Sequence, residues 1–211
     1  MQYSDWQNID WNKIDRNVDA LDYSYIFQVC RNIESQGENT NFTAYNRSKL
    51  LEYFQRVPDC RAILEIGVNN NPDNLTSTSV FLSNKKDDTI YIGVDIEDKS
   101  NLNNEHKNIY TLQYRSENIN TVMNFAKYKG VKQFDFIFID GWHSVEQVQK
   151  ELAYAEYLSP RGIIGFHDVN HHPGPIYALQ NLDKNIWNID IHRSPTDNVM
   201  YDFGVAFIWR K

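Results

Sequence analysis

Two stretches decide the fold of this chain: Phe134-Asp-Phe-Ile-Phe-Ile-Asp-Gly-Trp-His-Ser144 and Ser159-Pro-Arg-Gly-Ile-Ile-Gly-Phe-His-Asp168. Each contains a short run rich in Ile and Phe that leads to an aspartate, and a helical pattern separates the two runs. Such runs are typical of neighbouring parallel strands in an α/β sheet. Ligands of these sheets bind beyond the carboxyl ends of the strands. We therefore expect Asp140 and Asp168 at one rim, with His143 one turn beyond the first, as a site for chemistry.

Composition limits the class of protein. The chain has 211 residues, of which 41% are hydrophobic and 14% aromatic, as expected for a single globular domain. A net charge of −7 argues against non-specific nucleic-acid binding, which needs a basic face. Cys30 and Cys60 lack metal-ligand spacing. With no export signal and no membrane-length apolar run, we expect a cytoplasmic protein without nucleic-acid or membrane partners.

Periodicity and turn residues predict the elements around this rim. Strands are predicted at 62–66, 90–94, 109–113, 136–139, 163–166, 186–191 and 205–209. Helices are predicted at 45–56, after a cap near Thr76, at about 118–128, after a Ser144–Gln147 capping box, and near 176–182. Residues 1–45 are expected to form an N-terminal arm that either closes over a substrate or makes a homo-oligomer contact. The core is then 46–211.

The ends of the first two predicted strands point to a cofactor. Gly67 follows strand one, and a glycine there lets a ligand approach the backbone closely. Asp95 ends strand two, where a carboxylate can accept hydrogen bonds from both hydroxyls of a ribose. The loop lacks the further glycines of a dinucleotide motif and contains Pro72, so a cofactor with a ribose but no phosphate fits better. The alternative is that Gly67 and Asp95 only end buried strands.

The whole pattern resembles the class I S-adenosylmethionine-dependent methyltransferases, specifically the small-molecule O-methyltransferase branch with its macrolide-sugar enzymes. The motifs that carry the resemblance are Leu64-Glu-Ile-Gly-Val68, Tyr91-Ile-Gly-Val-Asp95, Phe134 to His143, Leu158 to Asp168 and Gly204-Val-Ala-Phe-Ile-Trp209. It implies a Rossmann-like α/β fold with a seven-stranded sheet of order 3-2-1-4-5-7-6, the last strand antiparallel and helices on both faces. One departure is the run of asparagines that begins at Asn69, where the family usually has a second glycine.

The resemblance also implies roles for individual residues. S-adenosyl-L-methionine is expected to contact a set that spans four strand ends, namely Glu65, Gly67, Asn69, Asp95, Ser116, Glu117 and Asp140. Asp140, Asp168 and Asn170 are the expected ligands of Mg²⁺ or another divalent metal, and His167 as a ligand would favour a softer one. Asp140 and His143 are the expected catalytic residues, with His143 taking the proton of an acceptor hydroxyl. The expected acceptor is a sugar or another small molecule.

Other interpretations stay open at this stage. His143 can simply cap the helix that starts at Ser144, and Asp168 can simply end a strand. His171 and His172 are expected in an exposed loop, and Trp142 either stacks on a substrate or covers the rim. The alternative functions are a non-catalytic cofactor-binding or assembly module on the same fold and an NAD-dependent oxidoreductase. Binding of S-adenosylhomocysteine, NAD⁺ and Mg²⁺ distinguishes them.

Overall fold

A computed structural model describes residues 44–69, 76–170, 172–192 and 204–211. The predicted arm and its oligomer contact lie outside these residues, except for Ala44 and Tyr45. The strands are β1 (Ala62–Ile66), β2 (Ile90–Asp95), β3 (Ile109–Gln113), β4 (Phe134–Ile139), β5 (Leu158–His167), β6 (Trp187–His192) and β7 (Val205–Arg210). The α-helices are α1 (Ala44–Gln55), α2 (Ser77–Asn84), α3 (Ile119–Tyr128), α4 (Val145–Glu151) and α5 (Pro173–Asn181). Short 3₁₀ segments cover Ser100–Leu102, Glu105–Lys107 and Leu152–Tyr157.

The strands form one sheet of order β3-β2-β1-β4-β5-β7-β6, which confirms the expected topology. The pairs β3–β2, β2–β1, β1–β4 and β4–β5 are parallel, whereas β7 runs antiparallel to both β5 and β6. Strand β6 is therefore parallel to β5. The carboxyl ends of β1 to β6 consequently lie at a single rim, as the sequence predicted for β4 and β5.

The core lies on both faces of the sheet. Along β4, Phe136 and Phe138 pack into one apolar cluster with α1 and α2, while Ile137 and Ile139 pack into the other with α3 and α4. All four side chains are fully buried, and burial of such a side chain stabilises a fold by about 1.5–3 kcal/mol. Because both faces are covered, residues 136–139 of β4 form a continuous apolar run, with Asp135 before it and Asp140 after it.

Several predicted elements begin earlier than the sequence suggested, among them β5 and α5. A strand was predicted from Ile163, but β5 already begins at Leu158 and includes Pro160. The register with β4 shifts between the Phe134–Leu158 and Phe136–Ile163 pairs, and such an irregularity accommodates a proline. Helix α5 begins at Pro173 rather than near Ile176, because a proline in the first turn needs no hydrogen-bond partner for its nitrogen.

Among the described residues, no helix is both long enough and apolar enough to cross a membrane.

Candidate active site

The parallel register of β4 and β5 brings the predicted rim residues together. Ile139 pairs with Phe166, so that Asp140 and His167, one residue further on, lie opposite each other. The Nδ1 atom of His167 is 2.9 Å from Asp140 Oδ1 and 3.2 Å from Asp168 Oδ1. His143 Nε2 lies 3.1 Å from Asp168 Oδ2 and 3.6 Å from Asp140 Oδ1. Four residues on two strand ends thus form one carboxylate–imidazole cluster.

The backbone of Asp168 is left-handed, with φ of 60°. This conformation is uncommon for a residue other than glycine and costs about 1–2 kcal/mol. It occurs here at the first residue after β5, and it sets the direction of the Asp168 carboxylate. The sequence offered no sign of this strained position, which is typical of functional sites.

Charge interactions within the cluster shift the pKa values of two members. Burial alone would raise the pKa of Asp140, but the positive charge of His167 and hydrogen bonds from His143 and His167 lower it to about 2. Burial would lower the pKa of His143, but the charge of Asp168 and the hydrogen bond with Asp140 raise it above its usual value. In the absence of a bound cation, the cluster therefore holds His143 in its protonated form over a wider pH range than usual.

Asn170, a predicted metal ligand, is fully buried, and its amide packs against Gly204, where an added Cβ would lie 2.7 Å from Asn170 Nδ2. Its role as a ligand stays a prediction. His172, expected in an exposed loop, is only 8% exposed, and its Nε2 is 3.8 Å from Asp168 Oδ2. The expectation for His172 was wrong because α5 begins next to it and encloses the ring; His171 lies outside the described residues.

A cavity of about 540 Å³ opens beside the cluster, at the ends of β1, β2 and β4. Five of the predicted cofactor-binding residues line it: Gly67, Asp95, Ser116, Glu117 and Asp140. The exposed side chains of Ile96 and Trp142 add apolar surface to the same cavity. Asp140 is the member that belongs to both the cavity and the carboxylate–imidazole cluster.

Gly67 is required by the neighbouring backbone rather than only by a ligand. Its φ is 82°, and an added Cβ would lie 2.0 Å from the carbonyl oxygen of Asp140. The Asp140 N–H donates to the carbonyl of Ile66 at 2.9 Å. Close approach of a ligand to Gly67 stays a prediction, and the contact that the structure describes is with the strand end that carries Asp140.

Asp95 is fixed at the end of β2 by two backbone donors. Its Oδ2 accepts the Val68 N–H and its Oδ1 accepts the Glu97 N–H, both at 2.8 Å. The backbone N–H of Asn69 donates to the Thr78 hydroxyl at 3.1 Å, which joins the loop after β1 to helix α2. Residues 70–75 of that loop lie outside the described residues.

Glu65 does not open onto the cavity. Its side chain is fully buried, where Oε1 accepts the Ser77 hydroxyl at 2.6 Å and Oε2 accepts the Tyr91 hydroxyl. Burial raises the pKa of Glu65 to about 7, and the hydrogen bonds from Ser77 and Tyr91 limit the rise. These contacts hold the Glu65 carboxyl group on the α2 side of β1. A contact of Glu65 with the cofactor stays a prediction.

A polar network that the sequence did not reveal supports Ser116 and Glu117. The amide of Gln147 donates to Ser116 Oγ at 3.0 Å, to Glu117 Oε2 at 3.2 Å and to Glu151 Oε1 at 2.8 Å. The Ser144 hydroxyl accepts the Gln147 N–H as predicted, but the Gln147 side chain turns to this network, so only half of the predicted capping box forms. The one sequence signal for the contact between Gln147 and Glu151 is their spacing of four residues along α4, which places both side chains on the same face of the helix.

Comparison with known proteins identifies the family. The methyltransferase domain family matches residues 35–169, more than half of the chain. No curated protein matches the sequence.

Solved structures share the fold at low sequence identity. An O-methyltransferase from Bacillus cereus in complex with SAH is 15% identical with a TM-score of 0.57, covering 89% of this chain and 91% of that one. CalS11, a TDP-rhamnose 3'-O-methyltransferase of calicheamicin biosynthesis, is 13% identical with a TM-score of 0.54, covering 93% and 96%. MycE, a methyltransferase of the mycinamycin pathway in complex with Mg and SAH, is 19% identical with a TM-score of 0.50, covering 75% of this chain. The chain spans about half the length of MycE, 48%. By its family match, its strand order and its rim, the chain belongs to the methyltransferase domain family.

Proposed function

We propose that the protein is an S-adenosylmethionine-dependent methyltransferase that methylates a hydroxyl of a small molecule. The observation that carries the proposal is the position of Asp140, which lines the cavity and also contacts the histidines of the carboxylate–imidazole cluster. Groups that can deprotonate an acceptor thus lie beside a space in which a methyl donor can bind. Such proximity is a main source of rate enhancement in group transfer.

The cavity residues suit a nucleoside cofactor that carries no phosphate. Asp95 keeps carboxylate lone pairs for ribose hydroxyls while two backbone donors hold it in place. Ile96 and Tyr114 supply exposed apolar surface for a base, and Ser116 and Glu117 supply polar atoms at the same end. When bound, the cofactor supplies the methyl group.

The donor set also suits a divalent cation. Asp140, His167 and Asp168 each offer one ligand atom, and these atoms lie within 4.8 Å of one another. Two carboxylates and one imidazole are ligands of Mg²⁺, Mn²⁺ and related ions, with waters completing the shell. A bound cation would lower the pKa of an acceptor hydroxyl. Asn170 stays a proposed ligand, although its amide contacts Gly204.

His143 is the proposed general base. Its Nε2 faces both aspartates, so the proton that it accepts would be held in a strongly negative environment. A cation on the aspartates would offset the charge that raises the pKa of His143, leaving the imidazole neutral and able to accept a proton.

A sugar hydroxyl is the proposed acceptor. CalS11 acts on TDP-rhamnose, and a MycE structure contains mycinamycin VI together with Mg and SAH. Transfer of a radioactive methyl group from the cofactor to a panel of nucleotide sugars and glycosides tests the acceptor class. Methylation of only non-sugar hydroxyls would exclude a sugar acceptor and leave the reaction class intact.

Calorimetry on the full chain tests the cofactor. We expect S-adenosylhomocysteine to bind and NAD⁺ not to bind, and we expect Asp95→Ala but not Asp98→Ala to weaken the interaction. Asp98 is a matched control because it follows the same strand and does not line the cavity. Binding of NAD⁺ alone would support an oxidoreductase, and cofactor binding without turnover on any acceptor would favour the non-catalytic module.

A further inference from the structure

The carboxylate of Asp168 faces two different groups, one with each oxygen. Oδ1 is 3.2 Å from His167 Nδ1 on the side of Asp140. Oδ2 is 3.1 Å from His143 Nε2 and 3.8 Å from His172 Nε2 on the other side. In the second group, as in the first, one ligand atom from each residue lies within 4.8 Å of the others. Asp168 therefore belongs to two different triads of potential metal ligands, and contributes one carboxylate oxygen to each.

The second triad is held by rigid backbone contacts. His172 is the residue before α5, and Gly174 in the first turn donates its N–H to the carbonyl of His143 at 2.9 Å. An added Cβ on Gly174 would lie 2.5 Å from that carbonyl oxygen, so the first turn of α5 and the segment after β4 are in direct contact. The rings of His143 and His172 consequently lie with their centroids 4.7 Å apart. A ligand set fixed in this way loses little freedom on binding an ion.

We propose that His143, His172 and Asp168 Oδ2 form a second cation site, which takes a nitrogen-preferring transition-metal dication such as Zn²⁺. Two imidazoles and one carboxylate are a donor set of zinc and iron proteins, whereas Mg²⁺ prefers oxygen ligands. The neighbouring triad of Asp140, His167 and Asp168 holds two carboxylates and one imidazole and suits the harder ion. The two sites differ in their chemistry although they share Asp168.

Occupancy of the second site has a regulatory consequence that rests on the proposed function. A metal ion on His143 would occupy the nitrogen that is proposed to accept the acceptor's proton. Zn²⁺ at this site therefore inhibits methyl transfer, while the cation on the aspartates supports it. The chain would respond in opposite directions to hard and to nitrogen-preferring dications.

The test is a Zn²⁺ titration of metal-free protein by calorimetry, repeated with Co²⁺ and visible absorption. His172→Asn removes the imidazole and keeps a residue type that is suitable before a helix. His106→Asn is the matched control, since His106 is exposed in the 3₁₀ segment Glu105–Lys107. We expect His172→Asn to weaken one Zn²⁺ binding event by roughly 10-fold or more and His106→Asn to leave it unchanged.

A third variant, Asp140→Asn, separates the two triads, and we expect it to retain the Zn²⁺ event. Unchanged Zn²⁺ binding by His172→Asn would overturn the proposal, and so would loss of the event in Asp140→Asn or an equal loss in His106→Asn. S-adenosylhomocysteine binding by the same proteins is measured in parallel. Its absence in the wild type would contradict the proposed function without affecting the metal result.

Discussion

Asp140 and Asp168 each contact more than one side chain at the rim. Asp168 combines a left-handed backbone with contacts to His143, His167 and His172. Asp140 contacts the same His143 and His167 and also lines the cavity. Substitutions here therefore separate roles only when the replacement removes one property at a time.

Asp95→Ala should weaken S-adenosylhomocysteine binding by about 2–4 kcal/mol, the usual contribution of two charge-assisted hydrogen bonds. The fold should survive, because Asp95 ends its strand at the rim and is not part of the apolar core. Calorimetry measures the affinity, and circular dichroism checks folding. Unchanged affinity in a folded variant would remove Asp95 from the site.

His143→Ala should lower kcat by roughly 10²–10⁴ and leave the cofactor KM nearly unchanged, as expected for loss of a general base. The wild-type rate should fall at low pH as the imidazole becomes protonated, and the variant should lack this limb. If His143 only capped α4, the variant would lose thermal stability and keep both kcat and the pH profile.

Asp140→Asn and Asp168→Asn should each weaken Mg²⁺ binding, since neutral amides are poor ligands of a hard dication. Turnover should fall with the metal affinity, while S-adenosylhomocysteine binding should persist in Asp168→Asn, because Asp168 does not line the cavity. Full activity of the wild type in excess EDTA would rule out a metal-dependent mechanism.

At the scale of elements, the ends of β1 and β4 are in direct backbone contact. Gly67 has no room for a Cβ because of the Asp140 carbonyl, whereas Gly130, after α3, has a similar φ of 87° and nothing within 4 Å. Comparing substitutions at Gly67 and Gly130 therefore separates the energetic cost of a left-handed backbone from the cost of a steric clash between Cβ and the Asp140 carbonyl.

Gly130→Ala should lower the free energy of unfolding by about 1–2 kcal/mol, the cost of left-handed geometry alone. Gly67→Ala should lower it by clearly more, since the chain must also move away from Asp140. Urea unfolding of both variants gives the comparison. Equal losses would mean that the contact between the two strand ends relaxes without cost.

Sequence patterns predicted the strands of this sheet well and the site only in part. Short apolar stretches predicted β1 and β3 at their observed bounds, although β1 is buried throughout and β3 is a mostly half-buried edge strand. The burial of His172, the left-handed Asp168 and the Gln147 network depend on how α4 and α5 pack over the rim. Such contacts join residues far apart in sequence and leave no local pattern.

At the scale of the whole molecule, two buried carboxyl groups couple stability to pH. Burial raises the pKa values of Glu65 and Glu151 to about 7, in each case limited by hydrogen bonds from neighbouring side chains. Between the ordinary carboxyl pKa of 4.5 and about 7, the folded chain binds more protons than the unfolded chain. These groups therefore stabilise the fold below that window relative to above it.

The free energy of unfolding should accordingly fall as the pH rises from about 4.5 to 7, by roughly 3 kcal/mol for Glu65 from the shift quoted for it. Glu65→Gln should flatten this slope, because the amide remains neutral at every pH. The exposed Glu105→Gln serves as the control. Urea unfolding at several pH values measures the effect, and an unchanged slope in Glu65→Gln would show that Glu65 does not titrate in this range.

If the proposed nucleoside and the proposed dication both contact Asp140, their binding would be thermodynamically coupled. If a bound dication changes the affinity for the nucleoside by some factor, the bound nucleoside changes the affinity for the dication by the same factor. S-adenosylmethionine carries a positive sulfonium, and its demethylated product does not. Electrostatic repulsion from a nearby dication would therefore weaken binding of the methyl donor more than binding of the product. The same ion that prepares an acceptor would thus favour the product in competition for the cavity, so that product inhibition would rise with the occupancy of the ion.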